Sequence, residues 1–431
     1  MIRSLIPFVK VVLIVAVVIT TSAMNTQPAN ASEPETTSDL LRRLSRDNPR
    51  IIAARESVAA AAGRIAVERA WADPMIGFMV MPNPTEEMAM LLGARNINVS
   101  QQVPLAGQKR LAGRIADTKR LMEEARARLI LIEQTEALLV ALSELRYLDE
   151  AINIVRQNRQ ILDQISGVAI TRTTSPTLLW EIQRVQTQLA QAGYDESLLR
   201  ELRISEQARI NGLLNRPPET PFQLAIASDS LFTAPPASLS VLLEQMRCMN
   251  PALTMSRETS KMASQEIVMA RKENSSELTI GFTQPGDRNW KPDTRGRTYS
   301  VELSLPVWDA KNSGRFRAAT HSAKAAKADE QSEENRIATE LTGQYVRVHN
   351  AWRTIRIYED TLLPQAEKAL EGAQADPKRS DDTFPQLLEA QAVLLNFQLA
   401  YRRAQSDYAQ ALARMYSLTG VLPEIAETIK P

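Results

Sequence analysis

The sequence predicts a mainly α-helical protein that also contains a small amount of β structure. Long tracts rich in Ala, Leu, Glu, Gln and Arg, with only 15 glycines and 5% aromatic residues among 431, have the composition of long helices and coiled coils. Four short segments alternate apolar and polar residues, which is the period of a strand. The segments occur twice in the same order, which indicates a tandem duplication.

The first residues have the pattern of a secretory signal peptide. Two basic residues, Arg3 and Lys10, precede an apolar segment over residues 11–19 and the small-residue pattern Ala-Asn-Ala at 29–31. We therefore predict a signal peptide over residues 1–31, cleaved after Ala31. An uncleaved membrane anchor is the alternative, but the apolar segment is short compared with the roughly 20 residues of a spanning helix.

Charge and cysteine content exclude two classes of protein. Lys and Arg total 51 against 50 Asp and Glu, a net charge of +1, and loss of Arg3 and Lys10 with the signal peptide leaves 49 against 50. A chain this close to neutral lacks the electrostatics of a nucleic-acid-binding protein. The single cysteine, Cys248, excludes an internal disulfide, and we expect its thiol to be buried.

The duplication has two clear markers. Asn48-Pro49 recurs as Asn250-Pro251 and Pro104 recurs as Pro306, both at an offset of 202 residues. We predict a first repeat over residues 32–222, a connector over 223–238 within the proline-rich stretch Arg216–Ser238, a second repeat over 239–424, and a short tail over 425–431.

Each repeat is predicted to contain a helix, two strands, a very long helix and another helix. In the first repeat these are Ser38–Ala70, Met75–Met81, Asn96–Val103, Gly107–Ser166 and Pro176–Leu214, and in the second Leu239–Lys272, Leu278–Thr283, Thr298–Leu305, Ser313–Ala373 and Pro385–Leu418. At about 1.5 Å per residue, a helix of roughly 60 residues is on the order of 90 Å long. We therefore expect a rod or a tube.

The alternating strands fit two different structures. In TYSVELSLP, Tyr299, Val301 and Leu303 lie on one face, and Ser300 and Glu302 lie on the other. Such strands suit a half-buried soluble sheet or a membrane barrel with a wet interior. Four strands are too few for a membrane barrel, which needs about eight, so several copies would have to close one together.

Two strand-to-helix passages carry a resemblance to a known family. They read VPLAGQKRLAG at Val103–Gly113 and LPVWDAKNSGRFRAA at Leu305–Ala319, and further agreement comes from Asn48–Val80, INGLLNRPPE at Ile210–Glu219 and YSLTGVLPE at Tyr416–Glu424. In these residues, their order and their duplication, the chain resembles the TolC-like outer-membrane efflux proteins over about residues 39–424.

The resemblance implies a homotrimer in the outer membrane of a Gram-negative cell. Each chain would supply four strands to a 12-stranded β-barrel and long helices to an α-barrel that extends into the periplasm. The implied partners are outer-membrane lipid, a periplasmic adaptor (membrane fusion) protein and an inner-membrane pump of the resistance-nodulation-division type. Pro104, Gly107, Pro306 and Gly314 would mark the two passages from strand to helix.

One departure from the family concerns the turns at the periplasmic tip. The family usually has an aromatic-x-x-Gly pattern there, whereas this chain reads SGVAITRTTSPT at Ser166–Thr177 and GAQADPKRSDDTFPQ at Gly372–Gln386. The usual adaptor geometry is therefore in doubt for this chain.

The sequence contains no pattern typical of an enzyme, and we predict neither catalysis nor a cofactor. The two histidines, His321 and His349, lie 28 residues apart in one predicted helix, where a structural or solvated role is the ordinary one. A periplasmic coiled-coil scaffold and an exported structural protein without channel activity are the competing classes. The scaffold would not explain the strands.

Two sets of residues are candidates for contact with transported solutes. Met75, Met79 and Met81 share one face of a predicted strand, and thioethers bind Cu(I); the alternative is that methionine is an adaptable apolar filler. Asp376, Asp381 and Asp382 would form a negative ring at the tip of a trimer, although Asp381 and Asp382 also suit the start of a helix.

Overall fold

The computed structural model describes residues 35–80, 95–104, 107–171, 176–221, 224, 237–273, 277–286, 292, 296–305, 308–375 and 383–421. The predicted signal peptide, most of the connector and the tail lie outside these ranges. The helices are α1 (Thr37–Asp47), α2 (Pro49–Arg69), α3 (Gln108–Thr171), α4 (Pro176–Leu213), α5 (Leu239–Met249), α6 (Pro251–Lys272), α7 (Asp309–Ile357), α8 (Leu363–Ala375) and α9 (Thr383–Thr419). The strands are β1 (Met75–Val80), β2 (Arg95–Val103), β3 (Glu277–Gly286) and β4 (Thr298–Ser304).

The predicted class, mainly helical with a small four-stranded portion, is confirmed. The strands form one antiparallel sheet in the order β1-β2-β3-β4. In the sequence, Ile337, Leu341, Val348 and Ile355 recur at spacings of four or seven residues, which predicts one apolar face on the second long helix, and all four are buried. In the described part of the chain, no helix is both long enough and apolar enough to cross a membrane.

Two predicted helices, Ser38–Ala70 and Leu239–Lys272, are wrong as single elements. Each is broken in two at an asparagine, Asn48 between α1 and α2 and Asn250 between α5 and α6. The residue before a proline is pushed out of the helical region, and both asparagines accordingly have extended backbone angles. The Asn-Pro pairs that mark the duplication therefore also mark a break in each helix.

Both asparagines join the ends of two helices. The Asn48 side-chain oxygen accepts a hydrogen bond from the Arg50 backbone N–H at 2.9 Å, and its amide nitrogen donates to the Leu213 carbonyl at 2.8 Å. Because Leu213 is the last residue of α4, one side chain satisfies the start of α2 and the end of α4.

The second repeat contains the same joint. Asn250 accepts from the Leu253 N–H at 3.0 Å and donates to the Leu418 carbonyl at 2.8 Å, so it connects the end of α9 with the start of α6. Gly420 turns the chain away here with a φ of 81°, and a Cβ at this position would collide with the Met249 carbonyl. Helices α4 and α2, and α9 and α6, thus meet end to end.

The predicted helix Ser313–Ala373 is interrupted by a single π-helical turn. This turn spans Tyr358–Leu362 between α7 and α8, and the Leu363 N–H donates to the Tyr358 carbonyl five residues earlier. Its cause is Pro364, which has no N–H to donate to the carbonyl of Asp360 and whose ring would clash with it in an α-helix. Helix α3, the counterpart in the first repeat, is continuous over 64 residues.

The helices next to the sheet follow the order of the strands. Helix α2 leads into β1, β2 leads into α3, α6 leads into β3, and β4 leads into α7. These helices pack in the row α2-α3-α6-α7, and farther from the sheet α3 and α7 continue in the row α4-α3-α9-α7. The long helices and the sheet therefore form one continuous layer, which we call the wall.

The short helices α1 and α5 pack onto this wall through leucine-rich cores. Leu40 and Leu44 of α1 are buried against Leu138 and Leu145 of α3. In the second repeat, Leu242 and Met246 of α5 pack with Ile337, Leu341 and Tyr408. The expected burial of Cys248 is wrong, because this residue of α5 is exposed.

Candidate functional site

The sheet has one continuous apolar face. The pairing places Val99 opposite Phe282 and Phe282 opposite Tyr299, whose rings lie 5.3 Å apart. The alternation of each strand then assigns the rest of the face: Ile76, Phe78, Ile97, Val103, Leu278, Ile280, Val301 and Leu303. Gln101 and Gln284 interrupt this face, and the Gln101 side-chain amide donates to the Ala72 carbonyl at 2.8 Å.

Nothing in one copy of the described chain covers this apolar face. Ile280, Leu303, Val301 and Tyr299 are 49%, 53%, 71% and 76% exposed. Soluble proteins rarely leave a contiguous apolar surface of this kind in water. The face therefore requires lipid or another protein surface.

The opposite face of the sheet is polar. It carries Asn96, Asn98, Ser100, Gln102, Thr279, Thr283, Ser300 and Glu302, together with Met75 and Met79. A sheet with one lipid-compatible face and one hydrophilic face is what a water-filled membrane barrel needs.

Met75 and Met79 lie on this polar face, where Met75 pairs with Ser100 and Met79 with Asn96. Met81 lies outside the described residues. Four residues along a strand span about 13 Å, so Met75 and Met79 of one chain cannot bind the same ion. Within the described residues, no group of three His, Cys, Asp or Glu side chains could hold a metal either. If the methionines bind a soft metal ion, each thioether of the chain must therefore bind it separately.

The methionine hypothesis makes a testable prediction. If the thioethers guide a soft metal ion, replacing Met75, Met79 and Met81 together by leucine should increase the copper sensitivity of cells, because leucine keeps the apolar bulk and removes the donor. Growth on copper at equal expression measures this effect. Unchanged tolerance would leave the methionines as apolar filler.

The two strand-to-helix passages are not equivalent. In the first, Pro104 ends β2, and Gly107 has a φ of 69°, a conformation that favours glycine, directly before α3. In the second, Pro306 lies outside the described residues. Gly314 lies inside α7, five residues after its start at Asp309, so it is not a counterpart of Gly107.

Asp376, Asp381 and Asp382 lie outside the described residues. In the sequence they fall between Ala375, the last residue of α8, and Thr383, the first residue of α9. The negative ring remains a prediction. In planar bilayers, the double variant Asp381→Asn/Asp382→Asn should lose cation preference if the ring exists, and an unchanged preference would assign these acids to helix capping.

A buried carboxylate locks α3 to α4. Glu196 of α4 is paired with Arg156 and Arg159 of α3, each at 3.3 Å, and with Arg200. Burial alone would raise the pKa of Glu196, but the three guanidinium groups outweigh it and lower the pKa below its usual 4.5. The carboxylate is therefore ionised at neutral pH.

This lock should stabilise the helix pair in a pH-dependent manner. Because the folded-state pKa of Glu196 is lowered, its contribution is complete above the unfolded pKa and is lost as the pH falls through the folded value. Glu196→Gln should thus lower the unfolding temperature at pH 7 and have little effect at the most acidic pH that the fold tolerates. If Glu196→Gln lowered the unfolding temperature equally at both pH values, the charge of Glu196 would not be the source of its stabilising effect.

The two histidines are not brought together. His321 and His349 lie on the same helix, 28 residues apart, and the ring of His349 packs against Tyr345 with centroids 4.4 Å apart. At about 1.5 Å per residue their separation is on the order of 40 Å, too far for a shared site.

Both ends of the wall are open in a single copy. Among the described residues, β1 and β4 each pair with one neighbouring strand, so each has a free edge there. In the row farther from the sheet, α4 and α7 are the outer helices, and Tyr194, Leu202 and Ile204 of α4 are exposed, as are Val346 and Ile357 of α7. Strand edges and exposed apolar helix faces thus occur on the same two sides of the molecule.

Known outer-membrane channels share this fold, in which a small sheet lies at one end of long helices. The open state of the MtrE outer membrane channel of Neisseria gonorrhoeae has a TM-score of 0.75 at 14% identity, covering 89% of this chain and 88% of that one.

Two further channels give similar values. The outer membrane protein VceC of Vibrio cholerae has a TM-score of 0.73 at 15% identity, with coverage of 89% and 96%. The CmeC outer membrane channel of Campylobacter jejuni has a TM-score of 0.73 at 12% identity, with coverage of 89% and 85%. No curated protein sequence matches this chain significantly.

The second repeat also matches a family by sequence. Residues 242–421 match the family model described as "Outer membrane efflux protein". The resemblance to the TolC-like outer-membrane efflux proteins is therefore confirmed in sequence over the second repeat, and the chain shares the fold of known outer-membrane channels.

Proposed function

We propose that this protein is the outer-membrane exit duct of a tripartite efflux system. It is a passive conduit, through which small molecules or metal ions pass from a pump and a periplasmic adaptor to the exterior of a Gram-negative cell. The observation that carries this proposal is the four-stranded sheet, whose one face is apolar and exposed and whose outer strands both have free edges.

The free edges support a homotrimer. Open strand edges in lipid leave backbone groups without partners, at a cost of several kcal/mol for each. Joining β4 of one copy to β1 of the next removes both edges, and the exposed apolar residues of α4 and α7 would meet in the same interface. Three copies supply twelve strands, which is enough for a closed membrane barrel.

The rods support partners at their far end. Helices α3 and α4, and α8 and α9, come to their ends on the side opposite the sheet, where an adaptor protein could dock. A pump of the resistance-nodulation-division type in the inner membrane is the energy source that the family implies. The polar sheet face binds solutes weakly, since conduction requires sites that release them easily.

Fractionation separates this proposal from a periplasmic scaffold or an exported structural protein. The duct should sediment with outer membranes, run as a trimer that withstands detergent, and conduct ions in planar bilayers. A soluble, monodisperse monomer in buffer without detergent would reject the duct and favour the scaffold.

A further inference from the structure

The segments that connect strands and helices are unusually basic. Residues 66–74, 104–116, 269–277 and 305–317 contain five acidic residues and nine basic ones: Arg69, Lys109, Arg110, Arg114, Arg271, Lys272, Lys311, Arg315 and Arg317. These segments thus carry a net charge of +4, whereas the whole chain carries +1. The channel wall itself gives no reason for this concentration.

The fold brings the four segments side by side. The Gln108 side chain at the start of α3 donates to the Lys272 carbonyl at the end of α6, at 2.9 Å. Arg315 of α7 pairs with Glu273 at 3.3 Å, and the Arg271 guanidinium lies 4.8 Å from the centre of the Phe316 ring. We call this layer of nine basic residues the basic collar.

Most of the collar lacks an internal counter-ion. Among the described residues, no carboxylate forms an ion pair with Lys109 or Arg271, nor with the exposed side chains of Arg69, Arg110, Arg114, Lys311 and Arg317. The charges of these seven residues therefore remain available to an external anion.

Some of these cations are placed against the local electrostatics. Lys109 and Arg110 lie in the first turn of α3, which contains no acidic residue, and Lys311 lies in the first turn of α7, which begins with Asp309. The amino terminus of a helix carries partial positive charge, so cations there are unfavourable. A sequence that breaks a local rule in this way commonly does so at a functional site.

The collar also lies at a defined distance from the apolar sheet face. Trp71 precedes β1 and Trp308 follows β4, and both are exposed, at 58% and 74%. Tryptophan is enriched where a membrane meets water. Moving from the sheet into α7, the chain passes Leu305 and Trp308 before it reaches Lys311 and Arg315. If the two tryptophans lie at the membrane surface, the cations are at the level of the lipid phosphates.

We propose that the basic collar binds the phosphate groups of anionic phospholipids in the leaflet nearer the helices, and so fixes the depth of the sheet in the membrane. This inference rests on the proposed function and adds to it the class of lipid. Each basic residue close to an anionic surface contributes about fivefold to the binding constant.

The test compares two triple variants of the full-length protein purified in detergent. Lys109→Gln/Arg110→Gln/Lys311→Gln removes three charges from the collar. Lys324→Gln/Arg347→Gln/Lys368→Gln removes two lysines and one arginine from exposed positions on α7 and α8 and is the matched control. Native mass spectrometry counts phosphatidylglycerol and phosphatidylcholine retained by each protein.

We expect wild type and control to retain phosphatidylglycerol in preference to phosphatidylcholine, and the collar variant to lose on the order of 100-fold in affinity for phosphatidylglycerol. Its thermal stability should not fall, since cations are removed from helix amino termini. Raising the salt concentration should weaken the wild-type preference.

Two outcomes would overturn the proposal that the collar binds anionic phospholipid. One is equal retention of both lipids by the wild type, and the other is an equal loss of affinity for phosphatidylglycerol in both triple variants. Failure of the wild type to enter membranes would instead reject the duct itself. The two failures are therefore distinguishable.

Discussion

Replacing Val301 by arginine is expected to remove most of the assembled protein from the outer membrane. Val301 lies in the middle of β4 on the apolar face and is 71% exposed. An arginine on the lipid face of a membrane barrel costs about 2–4 kcal/mol near the middle of the bilayer. A trimer bears that cost three times. The amount of detergent-resistant trimer in outer-membrane fractions measures the effect.

The adjacent residue is the matched control. Glu302 is also exposed but lies on the polar face, so Glu302→Arg introduces the same side chain into water. This variant should assemble normally and shift the ion preference of the pore toward anions. If Val301→Arg assembles as well as Glu302→Arg, the apolar face does not contact lipid.

The second large effect is expected from Asn250→Ala. The substitution removes the cap of α6, worth about 1 kcal/mol, and leaves the Leu418 carbonyl without its donor, which costs about 1–3 kcal/mol more. Asn48→Ala should behave alike, because Asn48 makes the same pair of contacts in the first repeat. Loss of helical circular dichroism on heating gives the midpoints.

Two further variants separate the two roles of this side chain. Asn250→Asp keeps the acceptor for α6 but turns a carboxylate toward the Leu418 carbonyl, and it should be destabilised nearly as much as the alanine variant. Asn350→Ala, at an exposed position within α7, should change stability little. If Asn250→Asp unfolded at the same temperature as the wild type, the hydrogen bond to the Leu418 carbonyl would contribute nothing to stability.

The features that follow from periodicity were predictable from the sequence. Alternation placed the four strands to within three residues and identified their apolar face, because a period of two leaves few choices of register once one face is apolar. The stripe through Ile337 and Leu341 predicted the buried side of α7 for the same reason. The closed barrel follows from the family resemblance and stays a proposal.

Features that depend on a single residue or on distant contacts were missed. The prolines at 49 and 251 signalled breaks, and Pro364 signalled the π-helical turn, but the strong helical pattern on either side outweighed them. Cys248 was expected to be buried from the general behaviour of lone cysteines, yet it lies on the exposed face of the amphipathic helix α5. The lock at Glu196 joins residues about 40 positions apart, which no local pattern indicates.

The π-helical turn at Tyr358–Leu362 has a consequence for symmetry. Duplication gives each chain two similar hairpins, so a ring of three chains would approach sixfold symmetry. Within the described residues, one hairpin of each pair contains the irregular turn, whereas the other is built on the uninterrupted α3. A ring of three chains would therefore alternate two kinds of hairpin, and its symmetry along the helices would be threefold and not sixfold.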